Sequence, residues 1–268
     1  MHFAFPWPTM VYQSAFDERV NDRQSRLAVF DSGALARARI LIVGAGGLGC
    51  HVAASLARKG AGTLHLVDDD TVEPSNLNRQ LYYLEDLFQP KAFALAKNVA
   101  REGHLNTVSI AHCVTFNEQS APLLSQHIDV GVVAVDNDQT RCLATAYFRR
   151  QRLPALFCAV NQMSDEGWCF VQEPTGPCLA CVLPHVVGGA TAARSCTPWP
   201  ATLDILKAVT APLVYAVDSL LMPRRRQWNF RWVNLVGDGP NWVGQVPIRP
   251  SCPVCGGGSP PRVEGKCA

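Results

Sequence analysis

The sequence predicts an α/β protein with a Rossmann-like, doubly wound sheet that is mainly parallel and has an antiparallel extension. Three observations predict this fold class. Short apolar segments of strand length alternate with segments whose apolar residues recur at helical spacing. A glycine-rich turn, GAGGLG, joins the first such strand to the first such helix. The next strand completes a β-α-β unit within about 30 residues, which implies a right-handed crossover between parallel strands.

The elements follow one another in a regular order in residues 37–174, the predicted nucleotide-binding core. Buried strands are predicted at RILIV, TLHLV, VSIAHCVTF, DVGVVAV and PALFCAV, and GWCFVQE is expected to pair antiparallel beyond them. Helices are predicted at LGCHVAASLARKG, KAFALAKNVARE, APLLSQHI and QTRCLATAYFRRQR.

Two further parts flank this core. Residues 1–36 form an N-terminal segment in which FDERVNDRQSRLAVF is expected to be helical. Residues 175–268, which we assign to the same domain as the core, begin with a long loop rich in glycine, proline and cysteine. A return helix follows, with an interruption expected near Pro212, and then two aromatic strand-like segments, QWNFRWVNL and NWVGQVPIRP.

Composition excludes several classes of function. The chain has 268 residues, of which 48% are hydrophobic, and its net charge of +2 is too small for a general nucleic-acid binder. It contains no run of eighteen apolar residues, so no membrane span is expected. Its N-terminus lacks a secretory signal, and eleven cysteines in a chain of this length do not indicate a disulfide framework. We therefore expect the reducing cytoplasm.

The glycine turn predicts a phosphate-binding site. Gly44, Gly46 and Gly49 have the spacing that permits a tight turn, close approach of backbone to phosphate, and packing of helix on strand. Asp68 ends the next strand, where an acid commonly accepts hydrogen bonds from ribose hydroxyls. These residues fit a nicotinamide dinucleotide and ATP equally well.

The residues after Asp68 favour ATP over a dinucleotide. Arg79 and Lys91 can neutralise phosphate oxygens and stabilise departing pyrophosphate, which a dehydrogenase does not require. Asp136 follows a buried strand at the edge where such sheets bind ligands, and a single carboxylate can hold Mg²⁺. The alternative is a solvated charge cluster, with Asp136 or Asn137 capping a helix.

Four cysteines predict a structural zinc site. Cys178 and Cys181 lie in GPCLAC, and Cys252 and Cys255 lie in SCPVC. Two C-x-x-C pairs supply four thiolates, enough for a closed tetrahedral Zn²⁺ site that staples the C-terminal segment to the loop after residue 174. Two separate redox-active disulfides are the alternative.

From residue 19 to residue 182 the sequence resembles the ThiF/MoeB/HesA group, the relatives of ubiquitin-activating enzymes. The motifs are the glycine turn, the run DDDTVEPSNLNRQ, the tripeptide QPK and the segment DNDQTR, in that order. The resemblance implies ATP-dependent adenylation of the C-terminal carboxylate of a small ubiquitin-like or sulfur-carrier protein ending in Gly-Gly. It also implies the same zinc and a nucleotide site formed by Gly44, Gly46, Gly47, Gly49, Asp68, Asp70, Asn76, Arg79, Gln80, Lys91, Asp136 and Asn137.

Two further residues enter as catalytic candidates through the resemblance. The family uses an arginine from an N-terminal segment that reaches into the partner subunit, and RVNDRQ suggests Arg23, with Arg19 second, and hence a homodimer. Cys196, in ARSCTPWP, is placed like the cysteine that receives the activated carboxylate as a thioester. An unused loop cysteine is the alternative.

The second half departs from the family pattern, so several functions stay open. Tyr215 and Asp218 replace glycines that usually let the return helix pack tightly, and PRRRQWNFR is unlike ordinary members. The alternatives are adenylation of a peptide in natural-product assembly or of a tRNA base, an inactive nucleotide-binding partner subunit, and an NAD-dependent dehydrogenase.

Overall fold

The fold is seen in a computed structural model, which describes residues 11–186 and 200–256. The described strands are β1 (Arg39–Val43), β2 (Thr63–Val67), β3 (Val108–His112), β4 (Val130–Val133), β5 (Ala155–Val160), β6 (Glu166–Gln172), β7 (Phe230–Asn234) and β8 (Trp242–Gly244). The described α-helices are α1 (Val11–Ser25), α2 (Ser32–Arg37), α3 (Gly47–Arg58), α4 (Lys91–Glu102), α5 (Ala121–Leu124), α6 (Asp138–Arg150), α7 (Leu179–Val182) and α8 (Leu203–Leu221). Short 3₁₀ turns lie at Pro74–Asn76, Leu84–Asp86 and Pro184–Val186.

All of these strands form a single sheet in the order β3-β2-β1-β4-β5-β6-β7-β8. The first five strands in chain order pair in parallel, and β6, β7 and β8 extend the sheet in antiparallel fashion. The predicted fold class, a mainly parallel sheet with an antiparallel extension, is therefore confirmed. The strand order reverses between β1 and β4, so the crevice at their carboxyl ends is the place where such sheets bind ligands.

Side chains alternate across β1 and so divide the interior into two apolar layers. Ile40 and Ile42 face one layer, which α3, α4 and α8 cover. Leu41 and Val43 face the other, which α5, α6 and α7 cover. Because both faces of β1 are buried, its sequence is apolar throughout rather than alternating.

The return helix differs from the prediction. Helix α8 runs without interruption through Pro212. Pro212 has no N–H to donate to the carbonyl of Ala208, four residues earlier. Ala208 is only half-buried, so water can reach this carbonyl. The buried side of α8 packs against β5, β6 and α3, and this packing holds the helix together across the proline.

The segment after residue 174, which the sequence predicts to be a long loop, contains α7 and the 3₁₀ turn Pro184–Val186. Residues 187–199 lie outside the described part. The division into segments 1–36, 37–174 and 175–268 stays a prediction. In the described ranges, no helix has both the length and the apolar character that crossing a membrane requires.

Tyr215 and Asp218, the two residues of α8 that depart from the family pattern, both contact Arg224. Asp218 is fully buried on α8 and forms ion pairs with Lys59, at the end of α3, and with Arg224. The Arg224 guanidinium lies 4.3 Å from the centre of the Tyr215 ring. Arg226 pairs with the carboxylate of Glu173. Two arginines of the basic run, Arg224 and Arg226, therefore form ion pairs with other parts of the chain.

Candidate functional site

The glycine turn has three tightly packed positions and one open one. Gly44 has φ +96°, and a Cβ there would lie 2.6 Å from the Ala134 carbonyl oxygen. A Cβ at Gly49 would lie 1.8 Å from the Gly44 oxygen, and one at Gly47 would lie 2.9 Å from Leu206. At Gly46, in contrast, a Cβ would have no heavy atom of the described residues within 4 Å. The fold therefore explains three of these glycines, and a ligand can fill the space beside Gly46.

Helix α3 presents its N-terminus to this space. Gly46 is the N-cap and has no side chain to accept a hydrogen bond from the first helical turn. The N–H groups of that turn and the positive end of the helix dipole therefore remain available to an anion. This arrangement suits a phosphate group.

Asp68 joins the end of β2 to the glycine turn. One carboxylate oxygen accepts from the Ala45 N–H at 2.7 Å, and the other accepts from the Asp70 N–H at 2.9 Å. Burial raises the pKa of the Asp68 carboxyl, although these two N–H groups and the charge of Lys91 oppose the shift. Asp68 thus orients the turn as well as lying at the predicted ribose position.

Lys91 lies beside the turn and is held by Asp70. Its ammonium group is 2.9 Å from the Asp70 carboxylate, and its backbone N–H donates to the Asp70 carbonyl at 2.8 Å. The Lys91 side chain is only 12% exposed, whereas that of Asp70 is 70% exposed. The structure therefore brings the predicted cation close to Asp68, paired with an acid that solvent can reach.

Asn76 and Arg79 are occupied by local hydrogen bonds. The buried Asn76 accepts from the Glu73 N–H at 3.0 Å, which stabilises the 3₁₀ turn. The Arg79 guanidinium donates to the Ser75 carbonyl at 2.6 Å. The side-chain oxygen of Gln80 is buried and has no hydrogen-bond partner among the described residues. These predicted ligands lie near the turn, and Arg79 must turn away from Ser75 to bind a phosphate with all of its donors.

Asp136 and Asn137, which follow the carboxyl end of β4, have different contacts. Asn137 is the N-cap of α6 and accepts from the Thr140 N–H at 2.8 Å, so the helix-cap alternative describes Asn137. Asp136 is exposed, and none of the described residues forms a hydrogen bond or ion pair with its carboxylate. Ala134, two residues earlier, touches Gly44. Asp136 is therefore an unpaired carboxylate next to the turn.

Three residues that the sequence reasoning missed connect the 79–82 segment to the turn. The His51 ring lies 3.0 Å from the Arg79 carbonyl oxygen, and the Leu81 N–H donates to the Cys50 sulfur at 3.3 Å. The Tyr82 hydroxyl donates to the Ala45 carbonyl at 2.7 Å. No periodicity or spacing signals these contacts, because each of them involves a backbone group from another part of the chain.

The loop that precedes α4 is fixed by Asp86. Its buried carboxylate accepts from Lys97, from the Asn98 amide at 2.6 Å and from the Tyr83 N–H at 2.9 Å. Burial by itself raises the pKa of Asp86, but these hydrogen bonds outweigh it and leave the pKa below its ordinary value. The anchor fixes the position at which α4 begins, and with it the position of Lys91.

The four predicted cysteine ligands come together. The sulfur atoms of Cys178, Cys181, Cys252 and Cys255 all lie within 4.8 Å of one another, and none of them is in a disulfide. The Cys178–Cys252 and Cys181–Cys255 sulfur pairs are 3.4 and 3.3 Å apart. Zinc–sulfur bonds of about 2.3 Å place the sulfur atoms of a tetrahedral site about 3.8 Å apart, so the cluster fits zinc. The clustering also argues against two separate redox disulfides.

Arg23, the first N-terminal candidate, lies far from the glycine turn of its own chain. Arg23 is 90% exposed, and its neighbour Gln24 donates to the Lys59 carbonyl at the C-terminal end of α3. The glycine turn is at the opposite end of this 12-residue helix, about 18 Å away, which is further than an arginine side chain reaches. Arg19 is likewise exposed on α1. The predicted nucleophile, Cys196, lies outside the described residues.

Comparisons with known proteins agree with the resemblance. The sequence profile of the ThiF family matches residues 22–257. The SAMP-activating enzyme E1 of Haloferax volcanii is 32% identical over 258 residues, which cover 91% of this chain and 92% of that protein. The sulfur carrier protein adenylyltransferase of Thermus thermophilus is 31% identical over 249 residues, 83% of each chain. The crystal structure of E. coli MccB with AMPCPP and MccA shares the fold, with a TM-score of 0.71 and 20% identity over 84% of this chain and 68% of that one. The chain belongs to the ThiF family.

Proposed function

We propose that this protein is an ATP-dependent adenylyltransferase that activates the C-terminal carboxylate of a small ubiquitin-like or sulfur-carrier protein and releases pyrophosphate. The observation that carries the proposal is the grouping of three features around the glycine turn: the face of Gly46 that no described residue fills, the ammonium of Lys91, and the Asp136 carboxylate, which has no partner among the described residues. The names of the archaeal and bacterial relatives, an activating enzyme and a carrier-protein adenylyltransferase, support the same reaction.

Phosphates would bind at the N-terminus of α3, where backbone N–H groups and the helix dipole favour negative charge. Asp68 would accept hydrogen bonds from the ribose, and Asn76, Arg79 and Gln80 would line the triphosphate. Lys91 would exchange its Asp70 partner for a phosphate oxygen, a change made easy by the exposure of Asp70. Charge neutralisation of the leaving pyrophosphate and alignment of the reacting groups would supply most of the rate acceleration.

Mg²⁺ would be held by Asp136. An exposed, unpaired carboxylate suits this ion, because Mg²⁺ keeps most of its water ligands and needs one or two carboxylates together with phosphate oxygens. Bound there, the ion would supply positive charge to the triphosphate.

Zinc would have a structural role. All four cysteines would bind it, which leaves no open position for a substrate. The ion would join α7 to the segment around Cys252.

A homodimer would complete the site. Because Arg23 lies at the end of α3 opposite its own glycine turn, it would act on the nucleotide of the partner subunit. Arg19 is the second candidate for this role. The proposal also includes a partner protein that ends in Gly-Gly. After adenylation, the Cys196 thiolate would attack the carbonyl carbon of the acyl adenylate, form a thioester and release AMP.

The test is pyrophosphate–ATP exchange with candidate small carrier proteins that end in Gly-Gly. We expect exchange with the wild-type protein and its loss in Asp136→Ala. Asp69→Ala is the matched control, since Asp69 is an exposed carboxylate near the same edge whose hydrogen-bond partner among the described residues is Thr115. Exchange that survives in Asp136→Ala would refute the proposed magnesium role. ATP binding without exchange for any carrier would refute the proposed substrate and favour a peptide substrate or an inactive partner subunit.

A further inference from the structure

Tyr82 contacts two parts of the proposed phosphate site, the glycine turn and the first residue of α4. Its side chain is buried, and its hydroxyl donates to the Ala45 carbonyl at 2.7 Å and lies 3.3 Å from the Lys91 carbonyl. Burial raises the pKa of the Tyr82 phenol, so the hydroxyl keeps its proton. One hydroxyl group thus joins the glycine turn to the first residue of α4.

The hydrogen bond to Ala45 fixes the direction of the next N–H group. The peptide unit is planar and trans, so the Ala45 carbonyl and the Gly46 N–H point in opposite directions. The Ala45 carbonyl points towards Tyr82, and the Gly46 N–H therefore points away from it, on the side of the peptide opposite the buried phenol. None of the described residues accepts from this N–H. Asp68 holds the preceding N–H, that of Ala45, so both neighbouring peptide planes are fixed.

We propose that Tyr82 is a positioning residue that aims the Gly46 N–H at a phosphate of ATP and sets the distance between the glycine turn and Lys91. This inference rests on the proposed function, because it requires ATP at the turn. The 79–82 segment is also held by Cys50 and His51, so loss of the hydroxyl should leave the segment in place while the Ala45–Gly46 peptide becomes free to rotate.

The experiment compares Tyr82→Phe with a matched control, Tyr147→Phe. Tyr147 is also buried and its hydroxyl bonds to Ser125, but it lies in the apolar layer on the other side of the sheet. Binding of Mg-ATP is measured by isothermal titration calorimetry and Tm by scanning fluorimetry. We expect ATP binding to be about tenfold weaker for Tyr82→Phe, because this change corresponds to the loss of about one hydrogen bond. For Tyr147→Phe we expect wild-type affinity. In pyrophosphate exchange, KM for ATP should rise about as much, with kcat changed less.

Two outcomes would overturn the inference while leaving the proposed function intact: wild-type ATP affinity in Tyr82→Phe, or an equal loss of affinity in both variants. Failure of the wild-type protein to bind ATP would instead refute the proposed function itself. If Tyr82→Phe does not fold, the inference is tested on the ¹⁵N-labelled wild-type protein, through the NMR signal of the Gly46 amide. We expect its proton to shift downfield on addition of Mg-ATP. An unchanged Gly46 signal in a protein that calorimetry shows to bind ATP would overturn the inference.

Discussion

Replacing Gly46 by alanine separates the stability of the fold from nucleotide binding. Within residues 11–186 and 200–256, a Cβ at this position would meet no heavy atom within 4 Å, and the backbone is extended, with φ −75° and ψ −158°. Alanine is a poorer N-cap than glycine, by roughly 0.5–1 kcal/mol. Alanine also reduces the conformational entropy of the unfolded chain, which stabilises the folded protein by about 0.4–1 kcal/mol and offsets the loss in capping. We therefore expect the free energy of unfolding to change by less than about 1 kcal/mol and the Tm by less than about 4 °C.

The same methyl group should strongly weaken ATP binding. A phosphate oxygen bonded to a backbone N–H lies about 2.8 Å from the nitrogen, and the added carbon would occupy the space that the phosphate needs. Loss of one charge-assisted hydrogen bond costs about 1.5–3 kcal/mol, which corresponds to a Kd for Mg-ATP about 10- to 150-fold weaker. Titration calorimetry measures the Kd and scanning fluorimetry the Tm. A Gly46→Ala protein that binds Mg-ATP with wild-type affinity would refute phosphate binding at this turn.

Gly49→Ala is the control for this experiment. Its Cβ would lie 1.8 Å from the Gly44 carbonyl oxygen, so the turn cannot keep its conformation. We expect little folded protein even without nucleotide. Normal folding of Gly49→Ala would show that the glycine turn tolerates larger shifts than its packing indicates.

Three further predictions concern the parts that support the site. Cys252→Ser should abolish the binding of about one zinc ion per chain and lower the Tm, and unchanged zinc in metal analysis after chelator-free purification would exclude the four-cysteine site. Asp218→Asn should lower the free energy of unfolding by about 3 kcal/mol in urea titrations, because Lys59 and Arg224 lose their buried counter-ion, and a loss below about 1 kcal/mol would contradict this. The folded pKa of Asp86 lies below its unfolded value of about 3.9, so its stabilising effect is present above pH 4 and is lost as the pH falls through the folded pKa. Asp86→Asn should therefore show a shallower loss of stability on acidification than the wild-type protein, and equal acid transitions would count against the anchor.

The sequence predicted the sheet because local pattern and long-range packing agree there. The apolar runs RILIV and DVGVVAV became β1 and β4, each buried on both faces, and the glycine spacing marked the turn between β1 and α3. The interruption expected at Pro212 was wrong, since packing of α8 against the sheet and α3 outweighs the loss of one hydrogen bond.

Within the candidate site, residue type alone did not predict what the side chains contact. The side chains of Asn76 and Asn137 stabilise a 3₁₀ turn and a helix N-terminus, and their contact with a nucleotide stays a prediction. Short polar side chains serve ligands and local backbone equally well, and a motif cannot distinguish the two uses. The contacts of Tyr82 were not predictable for a related reason, because its partner is a backbone carbonyl 37 residues away.

The sequence by itself determined the order of strands and helices along the chain, the position of the glycine turn and the set of thiols that a metal would bind. Each of these depends on periodicity, on glycine conformation or on ligand spacing, which are properties of short segments. Only the tertiary structure decided that Gly46 faces open space while Gly44, Gly47 and Gly49 are packed, that Asp70 holds Lys91, and that Asp136 has no partner in the described part of the chain. These are contacts between distant segments, and their geometry exists only when the sheet has brought the carboxyl ends of its strands together.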